Sequence, residues 1–437
     1  MKKIILWILI SCFLLNGCNK GSISAKPYKT LTLAVFSEYQ LSGNALSKWV
    51  NLYNANHTDV KIEMVNYAAN FADPYEAYEQ LKIEIIAGKG PDLISFGSSF
   101  YSPLDASNGM LADLYPLMQY DALFDKQDFY ENIIDSFAVG ESLFVLVPGF
   151  GIASYATVHR ALRGLESADI YQIVDAYNTL DEDSVLIPGE TKGQVLGWLL
   201  YGSLANYIDW DAGMCRFDSP SFKELLLFAD QFPLFLNFAN DWSVKDYFTE
   251  GRALMFPTSI EGVYSMARTR MLFGETPTYI GYPFDEGNGN LATMTDVVIG
   301  ISAASKSKAE AWDFLRSLLS DEFQDNLVNG LPLRVHSLEQ KLEKALQPEY
   351  DANGRMIVKE RLIFEGEASV DIYEILIEDA ETLKSLLRKI EFCDAKDPDI
   401  YSIIFEEADY LFNENRDVDA VADIIQNRVS LYIKESK

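Results

Sequence analysis

The chain has 437 residues, with 36 Lys and Arg against 65 Asp and Glu, for a formal net charge of −29. So acidic a chain is a poor fit to nucleic acid and does not adhere to anionic lipid by charge. With 49% of residues apolar it is not a disordered acidic tail either, and its length allows two domains.

The N-terminus opens on Lys2 and Lys3, then an apolar run over residues 4–15. That run is too short to span a bilayer but suits the h-region of a secretory signal. It ends at Leu15-Asn16-Gly17-Cys18, which resembles a lipobox, with Leu at −3 and Gly at −1 fitting and Asn16 departing at −2. The motif implies a signal peptide over 1–17, diacylglycerol on Cys18, and a polar tether over 18–27. The expected location is a membrane lipoprotein facing outward, on the extracellular side in a Gram-positive cell and in the periplasm otherwise. No later stretch reaches the roughly 18 apolar residues that a transmembrane helix needs, so the lipid is the expected membrane contact. With Cys18 lipidated, Cys215 and Cys393 could pair, but their spacing is unlike a disulfide framework or a zinc site, which favours two buried free thiols.

Further along, residues 30–36 alternate as a strand. Leu46, Trp49, Val50 and Tyr53 share a helical face, with Ser42 as the expected N-cap. Residues 60–65 read as a strand. Residues 74–87 read as a helix with Ala77, Leu81 and Ile85 inward and Gly88 at its C-cap; 92–96 read as a third strand. This order predicts right-handed βαβ units on a mainly parallel sheet, with ligand contacts beyond the carboxyl ends of the strands, in loops 37–41 and 97–103. A buried strand is expected at 143–147, broken by Pro148-Gly149. Mostly helical text follows over 191–237, including a Ser219-Pro220 start. A strand at 297–302 and an amphipathic helix at 305–319 carrying Trp312 come next, then an acidic helical C-terminal hundred residues.

Several stretches resemble the extracellular solute-binding proteins of the family that includes maltose-binding protein. They are Gly88-Lys89-Gly90-Pro91-Asp92-Leu93-Ile94 with Met110-Leu111-Ala112-Asp113-Leu114, and Phe248-Thr249-Glu250-Gly251-Arg252-Ala253-Leu254-Met255. Ile280-Gly281-Tyr282-Pro283-Phe284 follows. The strongest is Gly300-Ile301-Ser302-Ala303-Ala304-Ser305-Lys306-Ser307-Lys308 with Ala311-Trp312-Asp313-Phe314-Leu315, and the last is Asn329-Gly330-Leu331-Pro332-Leu333-Arg334. Their order spans nearly the whole mature chain. The resemblance implies an α/β, two-lobed periplasmic-binding-protein-like fold (type II), each lobe a mainly parallel sheet flanked by helices. Lobe one would be 28–142 plus 293–331, and lobe two 143–292 plus 332–437, hinged around a ligand cleft.

The resemblance also implies the function: the solute-binding component of an ABC importer, partnered by permease subunits and capturing a carbohydrate as its lobes close. Sugars need flat rings and planar polar side chains. The cleft residues implied are Glu38 in the loop after the first strand, Ser98, Ser99 and Phe100 after the third, Trp198 as a second-lobe platform, and Glu261 with Tyr264. Ser99 stands where the family carries an aspartate, which argues against maltodextrin-like specificity. Trp242, like Trp49 and Trp312, reads as core, and Asp285-Glu286-Gly287 as solvent-facing. His57, His159 and His336 lack metal-ligand spacing, and there is no G-x-S-x-G elbow, Walker loop or complete calcium loop. No cofactor, metal or catalysis is expected. A sensor or adhesin on the same fold, and a less favoured glycoside hydrolase, remain the alternative readings.

Overall fold

The computed structural model describes residues 28–435 except 98–99, 211, 236–243, 286–287, 364–368 and 394–396. The signal peptide, the tether, Cys18, Ser98, Ser99, Trp242, Glu286 and Gly287 thus lie outside the described residues.

The strands in chain order are β1 (Lys29–Val35), β2 (Val60–Asn66), β3 (Leu93–Ser95), β4 (Val145–Leu146), β5 (Gly149–Thr157), β6 (Ile208–Asp209), β7 (Met214–Cys215), β8 (Phe256–Ile260), β9 (Thr278–Tyr279), β10 (Leu291–Met294), β11 (Ile299–Ile301), β12 (Leu331–Pro332), β13 (Glu360–Leu362), β14 (Val370–Ile372) and β15 (Phe392–Cys393). The first sheet runs β2-β1-β3-β11-β4. β1 pairs in parallel with β2 and β3, while β11 lies antiparallel to β3 and β4. The second runs β12-β5-β10-β15, with β8 and β9 also paired to β5. β5 opposes β8, β9, β10 and β12, whereas β10 and β15 are parallel.

One strand therefore runs against the rest in each sheet, and the cause is the same in both. β5 enters the second sheet directly from β4 of the first through Val147 and Pro148. β11 enters the first directly from β10 of the second. A chain that leaves one sheet at its carboxyl edge enters the other at the facing edge and must run away from it. The remaining strands of both sheets point their carboxyl ends toward the same gap.

Local chemistry sets the elements. Leu31, Leu33, Ala34 and Val35 are fully buried, as a strand covered on both faces requires. Helix Pro74–Ile86 is capped by Asp73, which accepts the Tyr75 N–H, has proline in its first turn, and buries Ala77, Leu81 and Ile85; Gly88 follows at φ +69°. Helix Ala45–Asn56 starts from Asn44, whose side chain accepts the Ser47 N–H at 2.9 Å. The expected cap Ser42 instead ends the short helix Glu38–Ser42, which Ser37 caps. Two polar candidates stood two residues apart, and the extra turn after β1 placed Asn44 at the start. Helix Pro220–Asp230 begins at Ser219-Pro220 as read from the sequence.

Two apolar cores result. One surrounds the first sheet and continues through the hinge to residues such as Ile260, Leu272 and Leu383. The other packs Tyr155, Leu196, Phe222 and Phe228 under the C-terminal helices Pro398–Glu414 and Val418–Glu435. Trp312 is buried in the first core and donates to Asp121 at 2.8 Å; Trp49 packs half-buried against it. Gln324, fully buried, donates to the Pro148 carbonyl at 2.9 Å and accepts the Arg334 N–H at 3.1 Å, tying the chain near 148 to the chain near 334. Cys215 and Cys393 are half-exposed rather than fully buried; Cys215 lies 3.2 Å from the Ser430 hydroxyl. Among the described residues no helix is long and apolar enough to cross a membrane.

Candidate binding cleft

On the first-sheet side, Gln40 fixes the rim. Its side chain accepts the Phe36 N–H at 2.8 Å and donates to the Ser95 carbonyl at 3.3 Å, joining the ends of β1 and β3. Gly97 follows at φ +58°, and a Cβ there would sit 3.0 Å from the Gln40 amide, so glycine meets both constraints. Glu38 is exposed and accepts from Asn66 at 2.7 Å. Tyr39 donates to Asp296 at 3.3 Å, and that carboxylate holds its phenol above the usual range. Phe100 is half-buried, with its ring centroid 5.0 Å from Phe36 and 6.0 Å from Tyr78.

On the second-sheet side, the β5 ladders decide which side chains share a face. Ala153 stands opposite Ser259 and Leu291, and Gly151 opposite Thr293. A Cβ on Gly151 would meet the Thr293 hydroxyl at 2.5 Å and the Glu261 Cγ at 3.2 Å, so Glu261 and Thr293 close over a position that only glycine can fill. Glu261 is exposed, accepts from Ser259 at 2.7 Å, and its carbonyl accepts the Gly330 N–H at 3.1 Å. Farther up the same face Tyr155 meets Tyr282 edge-on at 4.9 Å, and its hydroxyl donates to the Trp198 carbonyl at 2.6 Å. Trp198 is half-buried against the second core.

Glu261 thus lies against Gly151, while the Trp198 backbone meets Tyr155, four positions farther along the same strand and buried in the second core. Tyr264 goes elsewhere. It lines a cavity of about 270 Å³ with Leu327, Gly330, Pro332, Lys341 and Glu360, next to the hinge passage. Burial, then Glu349 and Glu360, raise its phenol. Asp285 is exposed and accepts from Ser221 at 2.9 Å.

Two further cavities join residues of both halves. One of about 360 Å³ lies among Tyr101, Phe137, Val139, Ile208, Trp210 and Cys393. The other, about 280 Å³, lies among Tyr75, Phe100, Asp105, Asp397, Asp399 and Tyr432. Tyr101 lines both, is 8% exposed, and its hydroxyl has no hydrogen-bond partner among the described residues. Of these, sequence reasoning named only Phe100 as a ligand contact, with Tyr101 inside the same expected contact loop. Asp397-Pro398, a cap followed by an N1 proline, was the available signal for a helix start at a cleft edge. Among the described residues no group of three or more His, Cys, Asp or Glu is placed to hold a metal ion.

Two α/β sheet assemblies joined by reversed strands, their carboxyl edges facing across a lined gap, define a two-lobed binding protein. The chain belongs to the bacterial extracellular solute-binding protein family, whose model matches residues 37–325. No curated protein matches its sequence. Solved structures of similar fold include a periplasmic oligogalacturonide binding protein from Yersinia enterocolitica, 12% identical over 93% of this chain and 99% of that one, with a TM-score of 0.59. Another is a substrate-binding protein from Listeria monocytogenes in complex with cycloalternan, at 14% identity, 93% and 100% coverage and a TM-score of 0.55. A third is the sugar-binding protein MalE from Xanthomonas citri, at 12% identity, 93% and 98% coverage and a TM-score of 0.56. At these identities the likeness concerns the fold.

Proposed function

We propose that this solute-binding protein captures a carbohydrate by closing two lobes and hands it to the permease of an ABC importer, while held to the membrane by a lipid on Cys18. The lobes in this reading are 28–142 with 293–331, and 143–292 with 332–437. The observation that carries it is a cavity between the halves walled by rings and carboxylates from both sides: Phe100 and Tyr75 with Asp105 on one, Tyr432 with Asp399 on the other. Aromatic faces stack on pyranose rings and carboxylates accept from their hydroxyls. The similar proteins named above that bind oligosaccharides support this solute class.

The test is a thermal-shift screen of neutral, amino and acidic oligosaccharides, followed by small-angle scattering with the best binder. A ligand that binds only the folded state raises the melting temperature by mass action, and lobe closure shrinks the radius of gyration. An unchanged radius at saturation would exclude closure. Cys18→Ala is expected to leave the protein in the soluble fraction or unprocessed; a mutant still cleaved and fully membrane-bound would remove the lipid anchor.

A further inference from the structure

The two cavities between the halves adjoin but differ in chemistry. Residues within 100–103 wall both on one side, Tyr101 being common to the two, and residues 392–393 and 397–399 face them from the other. The smaller, about 280 Å³, is polar, with Glu79, Lys82, Asp105 and Asp399 among its rings. The larger, about 360 Å³, is not. Four rings wall it, Tyr101 and Phe137 from one half and Trp210 and Phe392 from the other, beside Pro103 and Ile208. Among the described residues its lining holds no lysine, arginine or histidine, and one carboxylate, Asp209, which is exposed and takes the Ala212 N–H at 2.8 Å. Ser136 is buried, and its hydroxyl donates to the Ile133 carbonyl at 2.8 Å. The Tyr101 hydroxyl is buried out of reach of solvent, and a thiol such as that of Cys393 is a weak partner. Phe392 is 40% exposed and Trp210 half-buried, so ring surface left uncovered by folding is gathered at this place. A bare sugar ring does not suit such walls. Its hydroxyls would give up water and find few partners, and each unsatisfied polar group costs binding. An aromatic ring brings no such groups and packs edge-on or offset against tryptophan and phenylalanine. The volume, inside the roughly 300–1,000 Å³ of small-molecule pockets, admits one with its substituents.

We propose that the solute is a glycoside with an aromatic aglycone: the sugar occupies the acid-lined cavity and the aryl group the apolar one, with the glycosidic bond passing beside Tyr101. The inference rests on the carbohydrate reading of the cleft and deepens it, because two adjoining cavities of opposite character fit one solute with a hydroxyl-rich end and an apolar end. Each half supplies two of the four rings, so the aryl group holds the halves together as well as adding affinity.

The experiment is calorimetric titration of the mature chain with matched p-nitrophenyl and methyl glycosides, as the α-glucoside, β-glucoside, β-galactoside and β-xyloside, with free p-nitrophenol beside them. Within a pair that binds, the p-nitrophenyl member is expected to bind at least roughly tenfold more tightly than the methyl one, the scale of burying an added aromatic ring. Trp210→Ala and Phe392→Ala are each expected to bring that ratio, read on the variant itself, close to unity, with melting curves to confirm folding. A defect of folding alone scales both members of a pair and leaves the ratio where it was. Equal binding within the pairs overturns the proposal and leaves the carbohydrate reading standing. So does an aryl preference that survives both variants. Free p-nitrophenol binding as tightly as its glycosides overturns both. Binding of none of the glycosides overturns the proposal, and the oligosaccharide screen then decides the carbohydrate reading by itself.

Discussion

Glu261→Gln separates a binding role from a structural one. The carboxylate is exposed, and its side-chain partner among the described residues is the Ser259 hydroxyl at 2.7 Å. Glutamine keeps an acceptor for that hydroxyl and changes no volume against Gly151. Its cost in the free protein should stay within about 0.5 kcal/mol, the range of surface substitutions. In the closed, partly dry cleft the balance differs. A sugar hydroxyl that donated to a carboxylate meets a weaker acceptor or an amide donor, and an imperfectly satisfied buried group costs about 1–3 kcal/mol. That corresponds to roughly 5- to 150-fold in Kd. The assay is calorimetric titration with the best sugar, beside thermal melting without ligand. Unchanged affinity together with a melting temperature lowered by several degrees would refute the reasoning and make the Glu261 carboxylate a structural group through Ser259.

Trp198→Ala removes a half-buried ring, so its stability cost should be about half the 3–5 kcal/mol of a fully buried aromatic, while affinity falls roughly thirtyfold or more; unfolding with intact affinity per folded molecule would make it core. Asp379→Ala strands Arg270, which now donates twice to that 2%-exposed carboxylate at 3.0 Å each, so urea melts should show a loss of about 3–5 kcal/mol. Burial raises the Glu190 carboxyl to about 7 from 4.5. The folded state then holds a proton that the unfolded chain releases, so this group's stabilisation is full below about pH 4.5 and is lost as pH rises through 7. Glu190→Gln should flatten that part of the stability–pH profile between pH 4.5 and 7.5, and identical slopes for both proteins would count against it.

What could be read from the sequence followed local rules. The β1 apolar run, the Asp73-Pro74 and Ser219-Pro220 helix starts and the inward faces of their helices each need only neighbours within a few positions. The Ser42 expectation failed because two good caps stood close together and tertiary placement chose between them. The direction of β5 and β11 was illegible for a different reason. It depends on which sheet the chain has just left, a global property. The cleft divides the same way. Glu261 and Trp198 came from motif order, and the structure ties the first to Ser259 beside Gly151 and the second, through its carbonyl, to Tyr155. Tyr101, Asp105 and Asp397 meet across almost three hundred residues of chain, so no periodicity links them. Tyr264 sits three positions past Glu261, yet the turn after β8 carries it toward Lys341.

The two reversed strands have a mechanical consequence. β5 and β11 each lie inside a sheet, hydrogen-bonded on both flanks, and each begins directly at a passage between the halves. The pivot is therefore clamped into the middle of two stiff plates, not hung from a free margin. Torque applied there has no slack strand in which to dissipate, so each plate should swing as a block about nearly one axis. A single pair of fluorophores, one on each block, would then follow the whole motion as one distance.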